Sequence, residues 1–229
     1  MTTSGTYGFA PSLGSLTIYA FQLIGVRPAA LLQEHLESAH MAANLVLADW
    51  ANKGPNLWQI ALTTVPLVQG TATYSVPGNI VNILDLYITV GTGSTAVNRY
   101  ILPISRTEYA SYADINQQGF PSTYWNDRLL APTVTFWPVP DGNEVSFSYY
   151  ALQQMQDADF ANGQNVDVPT IWLAAFANAL AVELATIWAP DKLTIVQPRA
   201  DRTYAAAAAT GTEISQMFIS PQISNYFRS

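Results

Sequence analysis

Hydrophobic and polar positions alternate in two different rhythms along this chain, helical at both ends and strand-like between. Leu32, Leu36, Ala39, Ala43, Val46 and Trp50 recur at spacings of four and three, with Glu34, Glu37, Ser38, Met41 and Asp49 mostly beside them. That spacing draws one apolar stripe down a helix. A short apolar stretch, Leu16 to Val26, precedes it, Pro28 suits a helical first turn, and Gly54 with Pro55 stops the helix. Residues 1–14, rich in Gly, Ser, Thr and Pro, read as an arm without a core of its own.

The period then becomes two. Leu84, Leu86, Ile88 and Val90 alternate with Ile83, Asp85, Tyr87 and Thr89. Val134 and Phe136 alternate with Thr133, Thr135 and Trp137, and Val145, Phe147 and Tyr149 with Ser146, Ser148 and Tyr150. Each run predicts a strand with one face inward. Pro140-Asp141-Gly142 reads as a hairpin turn between the last two, Gly70 marks another turn, and Pro66 suggests an edge strand. Gly91-Thr92-Gly93-Ser94 separates a further pair. Ser105 with Glu108 three residues on predicts a short capped helix to Ala113.

Helical patterning returns after the loop Asp157 to Asp167. Pro169 opens Ile171 to Trp188, which is apolar nearly all round and so predicted to be buried. Asn178 and Glu183 within it favour a buried helix over a membrane span. Asp191 is a candidate cap, and Pro198 a candidate first-turn residue for a helix running through Ala205 to Ala209. The expected fold is α+β, a helical bundle (15–57 and 165–213) carrying an inserted antiparallel β domain (58–157). An arm (1–14) and an extended C-terminal tail (214–229) flank it. The tail carries Met217, Phe218, Ile219, Ile223, Tyr226 and Phe227, too apolar for a solvated segment.

Composition narrows the function. Only 11% of the residues are charged, against roughly 25% in an ordinary soluble domain. Neutral surface is cheap to desolvate, which suits packing against other chains. The net charge is −7 and the nine bases are scattered, so a phosphate-gripping surface is not expected. The absence of cysteine excludes disulfides and thiolate chemistry. His35 and His40 are five apart and fall on different helix faces, a poor metal pair. No signal peptide is visible in residues 1–30.

No nucleophile elbow, phosphate loop or zincin motif occurs, so neither a catalytic, a cofactor-binding nor a metal site is assigned. Asp157, Asp159, Asn162, Gly163, Asn165 and Asp167 match a calcium loop poorly, since Ala161 and Val168 stand where ligands belong. A solvated loop is the preferred reading. Trp58, Tyr124, Trp125, Phe136, Trp137, Tyr149 and Tyr150 fall within the β segment, where packing is preferred over a sugar-binding face. A carbohydrate-binding module and a hydrolase with paired carboxylates stay open as alternatives.

Seven landmarks occur in order: Ala20-Phe21-Gln22-Leu23-Ile24-Gly25-Val26 with the helix ending Ala48-Asp49-Trp50; Leu57-Trp58; Gly70 through Tyr74 to Pro77; Pro103-Ile104-Ser105-Arg106-Thr107-Glu108-Tyr109; Gly119-Phe120-Pro121-Ser122-Thr123-Tyr124; Phe136-Trp137-Pro138-Val139-Pro140; and Val168-Pro169 opening Leu173 to Leu184. Together they resemble the head-to-tail adaptor proteins of podoviruses, the group of tail tubular and packaged-DNA stabilisation proteins. The likeness runs from about residue 16 to 205; Arg27-Pro28 stands where that family often has a Gly-Glu turn. The resemblance implies a bacteriophage virion protein made in the host cytoplasm, a non-enzymatic ring that is usually dodecameric, seated between portal and tail. It implies a portal contact through the helices and the C-terminal tail, and a tail hub or nozzle contact through the β domain. Double-stranded DNA would pass through the ring without sequence-specific binding, and no membrane or cofactor is implied. Another head-tail connector or completion ring protein is the alternative within that class.

Overall fold

A computed structural model describes residues 5–53, 57–160 and 163–211, which form five α-helices and eight strands. The fold is α+β, with one core among the helices and a second between two sheets.

Helix α1 (Leu13–Leu23) starts three residues before the apolar stretch begins, because Ser12 caps it: the Ser15 N–H donates to Ser12 Oγ at 3.3 Å. Leu13, Leu16, Ala20 and Phe21 then form one buried face. The helix closes where Gly25 (φ +87°) turns left-handed. Its N–H donates to the Gln22 carbonyl at 3.1 Å, and the Val26 N–H to that of Phe21 at 3.0 Å, the paired bonds of a Schellman end.

Pro28 opens only a 3₁₀ turn, Pro28–Ala30, and α2 (Gln33–Asn52) starts after it. His35 Nδ1 accepts the Leu32 N–H at 3.2 Å and satisfies a donor left over at that helix start. The lower part of the stripe is buried through Ala39, Ala43, Val46 and Trp50, whereas Leu32 and Leu36 remain exposed. Gly54 and Pro55, read as the stop, lie outside the described residues.

Helix α4 (Leu173–Trp188) is the centre of the bundle and packs on α1, α2 and α5 (Leu193–Thr210). Together with the 3₁₀ turn Thr170–Trp172 before it, its length and hydropathy suffice for a membrane span, but these neighbours bury most of its circumference, including Phe176, Leu180 and Leu184. Pro198 lies inside α5 and does not start it. The helix begins five residues earlier because Val196, near its start, is already buried against the bundle, and proline's missing N–H costs one bond, to the Thr194 carbonyl. Asp191 does not cap α5 either; it lies in a 3₁₀ turn and pairs with Lys192 at 2.9 Å in solvent.

Strands β1 (Ile60–Pro66), β8 (Glu144–Gln153), β3 (Ile80–Val90) and β4 (Val97–Tyr100) form one antiparallel sheet in that order. Strands β2 (Thr73–Ser75), β7 (Thr133–Trp137), β6 (Thr123–Asn126) and β5 (Leu102–Pro103) form the other, with β5 and β6 parallel. The sheets face each other through Phe136 and Phe147, whose rings lie 4.9 Å apart edge to face. Pro66 does sit on an edge strand, β1. Helix α3 (Arg106–Ala110) is capped by Ser105, which accepts the Glu108 N–H at 3.1 Å.

Two features of the sandwich depart from the sequence reading. The simple alternation in β3 is broken by register shifts between Ile80 and Asn82 and between Ile83 and Asp85. Each places two residues opposite one on β8. The inward set is therefore Ile80, Ile83, Leu86, Ile88 and Val90, and Ile83 is buried where alternation points Leu84 inward. A third shift, between Thr89 and Val90, turns Val145 out to solvent and Glu144 in. The Pro140-Asp141-Gly142 turn is also no hairpin. It carries the chain from β7 in one sheet to β8 in the other, strapped by the Gly70 N–H donating to the Pro140 carbonyl at 2.9 Å.

Candidate interaction surfaces

The groups capable of chemistry are placed apart or used for packing. Among the described residues, no three His, Asp or Glu side chains cluster in a way that could hold a metal ion. His35 stacks on Trp188 at 4.1 Å and meets Phe21 edge-on at 5.5 Å, while His40 faces Phe160 at 6.0 Å. In the acidic loop, Asp167 Oδ2 accepts the Gln156 N–H at 2.9 Å, and Asn44 brackets Ala158 with bonds of 2.9 and 3.1 Å. Positions 161 and 162 of that loop lie outside the described residues.

The aromatic side chains are absorbed by packing. Tyr124, Phe136 and Tyr149 belong to the sandwich core, and burial pushes the Tyr124 hydroxyl pKa up to about 12. Helix α3 and the turn after it cover the faces of two tryptophans, with Tyr109 of the helix on Trp125 at 5.5 Å and Tyr112 of the turn on Trp137 at 3.8 Å. Trp58 is not part of the β core; its ring lies 4.7 Å from Trp172, within the cluster that Trp50, Phe176 and Tyr204 complete in the bundle. Tyr150 is the one of the seven that is exposed.

What the surface offers is contact area. A groove of about 320 Å³ runs between α2, α4 and α5, with Leu45, Trp50, Val182 and Tyr204 in its lining. Asp49, Glu183 and Asp201 also line it, against Lys53 alone. Lys53 pairs with Asp49 at 2.5 Å and stands 5.1 Å over the Tyr204 ring. Burial raises the Tyr204 pKa, the Lys53 charge opposing. A second hollow adjoins the groove at Leu45 and Glu183 and adds Met41 and Ile187, both exposed. A third, of about 270 Å³, lies between α2 and the β domain, lined by Asn44, Ala48, Asn52, Val81 and Gln154 among others.

The β domain presents a different kind of surface in the loop between β6 and β7. Asp127 accepts the Thr133 N–H at 2.8 Å, the Thr133 hydroxyl at 2.7 Å and the Leu129 N–H at 3.3 Å. Burial works to raise the Asp127 pKa, but the bonds from Thr133 and Leu129 outweigh it and hold the carboxyl below the ordinary aspartate value. Arg128 is held at φ +51°, and its guanidinium donates to Asn82 Oδ1 at 2.8 Å. The loop thereby presents Leu129 (67% exposed) and Leu130 (105%) to solvent. Sequence reasoning passed over these two. The available signal was a pair of adjacent leucines in a segment between strands, where turn residues are polar. Tyr7 and Phe9, in the arm before α1, are also strongly exposed. Met217, Phe218, Ile219, Ile223, Tyr226 and Phe227 of the tail lie outside the described residues.

An α+β chain with its ionisable groups dispersed and its exposed apolar groups on several faces has the makings of an assembly component. The sequence matches the profile of the SU10 adaptor protein family over residues 20–223, nearly the whole chain, and so belongs to that family. The family is one of structural adaptors of bacteriophages, which places the protein in the virion beside other head and tail proteins. No curated protein matches the sequence.

Proposed function

We propose that the protein forms a ring, about twelvefold, between the portal and the tail of a short-tailed phage, where it prolongs the DNA channel and helps retain packaged DNA. The observation that carries this reading is the family match over residues 20–223. The surface agrees with it. Exposed large apolar residues occur on both units, among them Met41, Leu45, Ile187 and Ile195 on the helices and Leu102, Leu129 and Leu130 on the sandwich. Such residues are available for packing against other chains without a desolvation cost for charge. An excess of acids over bases, sixteen to nine, suits a wall past which DNA slides, because phosphates are not gripped.

In this reading the helical bundle and residues 214–229 meet the portal, and the β sandwich meets the tail hub or nozzle. Electron microscopy of the purified protein mixed with its portal ring tests it. A second ring stacked coaxially on the portal is the expected image and gives the copy number. Bare portal rings beside unassembled chains would overturn the adaptor role and leave that of another connector or completion protein.

A further inference from the structure

The loop Arg128–Leu130 and the groove between α2, α4 and α5 are complementary in three respects. The first is size and polarity. The groove measures about 320 Å³, roughly twice the ~150 Å³ that lodges a benzene-sized group in an apolar cavity, so it has room for two leucine side chains. The second is charge. Arg128 is exposed beside the two leucines, and its guanidinium is bonded to the neutral amide of Asn82 and not to a carboxylate among the described residues. The groove holds three carboxylates and one ammonium, and Glu183 makes no ion pair among the described residues. The third is placement. On α2 the groove takes Leu45, Val46, Asp49, Trp50 and Lys53, whereas the hollow against the β domain takes Asn44, Leu47, Ala48, Ala51 and Asn52. At 3.6 residues per turn these two sets occupy separate arcs whose centres lie on opposite sides of the helix. Val81 lines that hollow, and its neighbour Asn82 holds Arg128. The leucines thus belong to one side of the molecule and the groove to the other.

A closed ring of identical chains needs such a pair of unlike patches on opposite sides, since each interface is head to tail. The loop is also built to dock. Its backbone is fixed by Asp127 and Thr133 before any partner arrives, which spares the ordering cost of binding. We propose that Leu129 and Leu130 of one copy insert into the α2/α4/α5 groove of the next, with Arg128 facing the carboxylates of Glu183 and Asp201. This rests on the ring reading above and assigns its lateral contact.

Because the chain has no cysteine, introduced thiols are the only ones it carries. Phage particles whose adaptor bears both L130C and Q197C, the latter in the groove wall, are oxidised and run on a denaturing gel. The expected result is loss of the monomer band to a ladder of multiples that a reductant collapses. A disulfide forms only where the two Cα atoms come within about 7 Å, so L130C paired with A48C, on the side of α2 that faces the β domain, gives none. Particles that hold the adaptor in many copies but give no ladder would overturn the loop–groove contact and leave the ring standing. Particles with a single copy each would overturn both. A covalent product with a different virion protein would also overturn it, by assigning the loop another partner. A charge swap gives a second readout that does not depend on thiol incorporation. R128E is expected to lose infective particles, and E183R with D201R in the same chain to restore them. A defect confined to the loop's own fold would not be restored by changes in the groove, and failure of restoration counts against the contact.

Discussion

Asp127 and Thr133 are joined twice, the backbone N–H of Thr133 reaching one carboxylate oxygen at 2.8 Å and its hydroxyl the other at 2.7 Å. This clamp closes the loop between β6 and β7 and holds Leu129 and Leu130 in the open. Removing it with Asp127→Ala leaves the Thr133 N–H without its acceptor. The expected loss is about 1–3 kcal/mol, and each kcal/mol lowers the melting temperature by roughly 2–4 °C in a chain this size. Thermal unfolding followed by circular dichroism checks it.

The same clamp gives stability a pH dependence of known sign. The carboxyl of Asp127 is held below its ordinary value in the folded chain, so the folded state binds the proton less readily than the unfolded one. Its contribution is fully present above the unfolded value of about 3.9 and is lost as pH falls through the lower folded value. Urea unfolding should therefore show the gap between the natural chain and Asp127→Ala closing in acid and constant from pH 5 to 7.

Phe147 is 1% exposed and touches Tyr74 and Phe136 across the sandwich, at ring distances of 5.2 and 4.9 Å. Phe147→Ala is expected to cost about 3–5 kcal/mol through lost burial and the cavity left behind. A shift of the urea midpoint at unchanged slope is the reading that confirms a packing loss.

Pro198 interrupts the hydrogen-bond ladder of α5. Pro198→Ala restores a donor for the Thr194 carbonyl and is expected to raise stability, by up to about 3 kcal/mol. A melting temperature that falls would mean the ring of Pro198 packs usefully where it stands.

Deleting residues 214–229 is expected to weaken attachment to the portal while leaving the far-ultraviolet circular dichroism and melting of the remainder intact. Co-sedimentation with portal rings measures the first, and undiminished attachment would remove Met217, Phe218, Tyr226 and Phe227 from the contact.

Local chemistry was legible in the sequence wherever a short segment decides its own structure. The spacing of Ala39, Ala43, Val46 and Trp50 gave a helix face, Ser105 with Glu108 a cap, and Pro66 an edge strand, because each depends on neighbours within a turn or a ladder bond. What could not be read is set by partners far along the chain. The bulges that put Ile83 in place of Leu84 come from the register of β3 on β8. Pro140-Asp141-Gly142 is good turn chemistry, yet which sheets it joins depends on where β7 and β8 pair. The groove between α2, α4 and α5 has the same origin, since α2 and α4 are brought together across the intervening sandwich.

Trp50 and Trp172 sit 5.1 Å apart, yet every strand of the sandwich is translated between them. During synthesis α2 therefore leaves the ribosome with its buried face uncovered, and it stays so until α4 follows. The sandwich meanwhile has all its strands and can close first, domains folding as units as they emerge. Its first and last strands, β1 and β8, are paired neighbours, so closing it brings the two helical halves side by side and shortens the loop the bundle must still close. The β domain is in this sense a folding template for the helices on either side of it, and slow closure would expose the α2 stripe to aggregation in the infected cell.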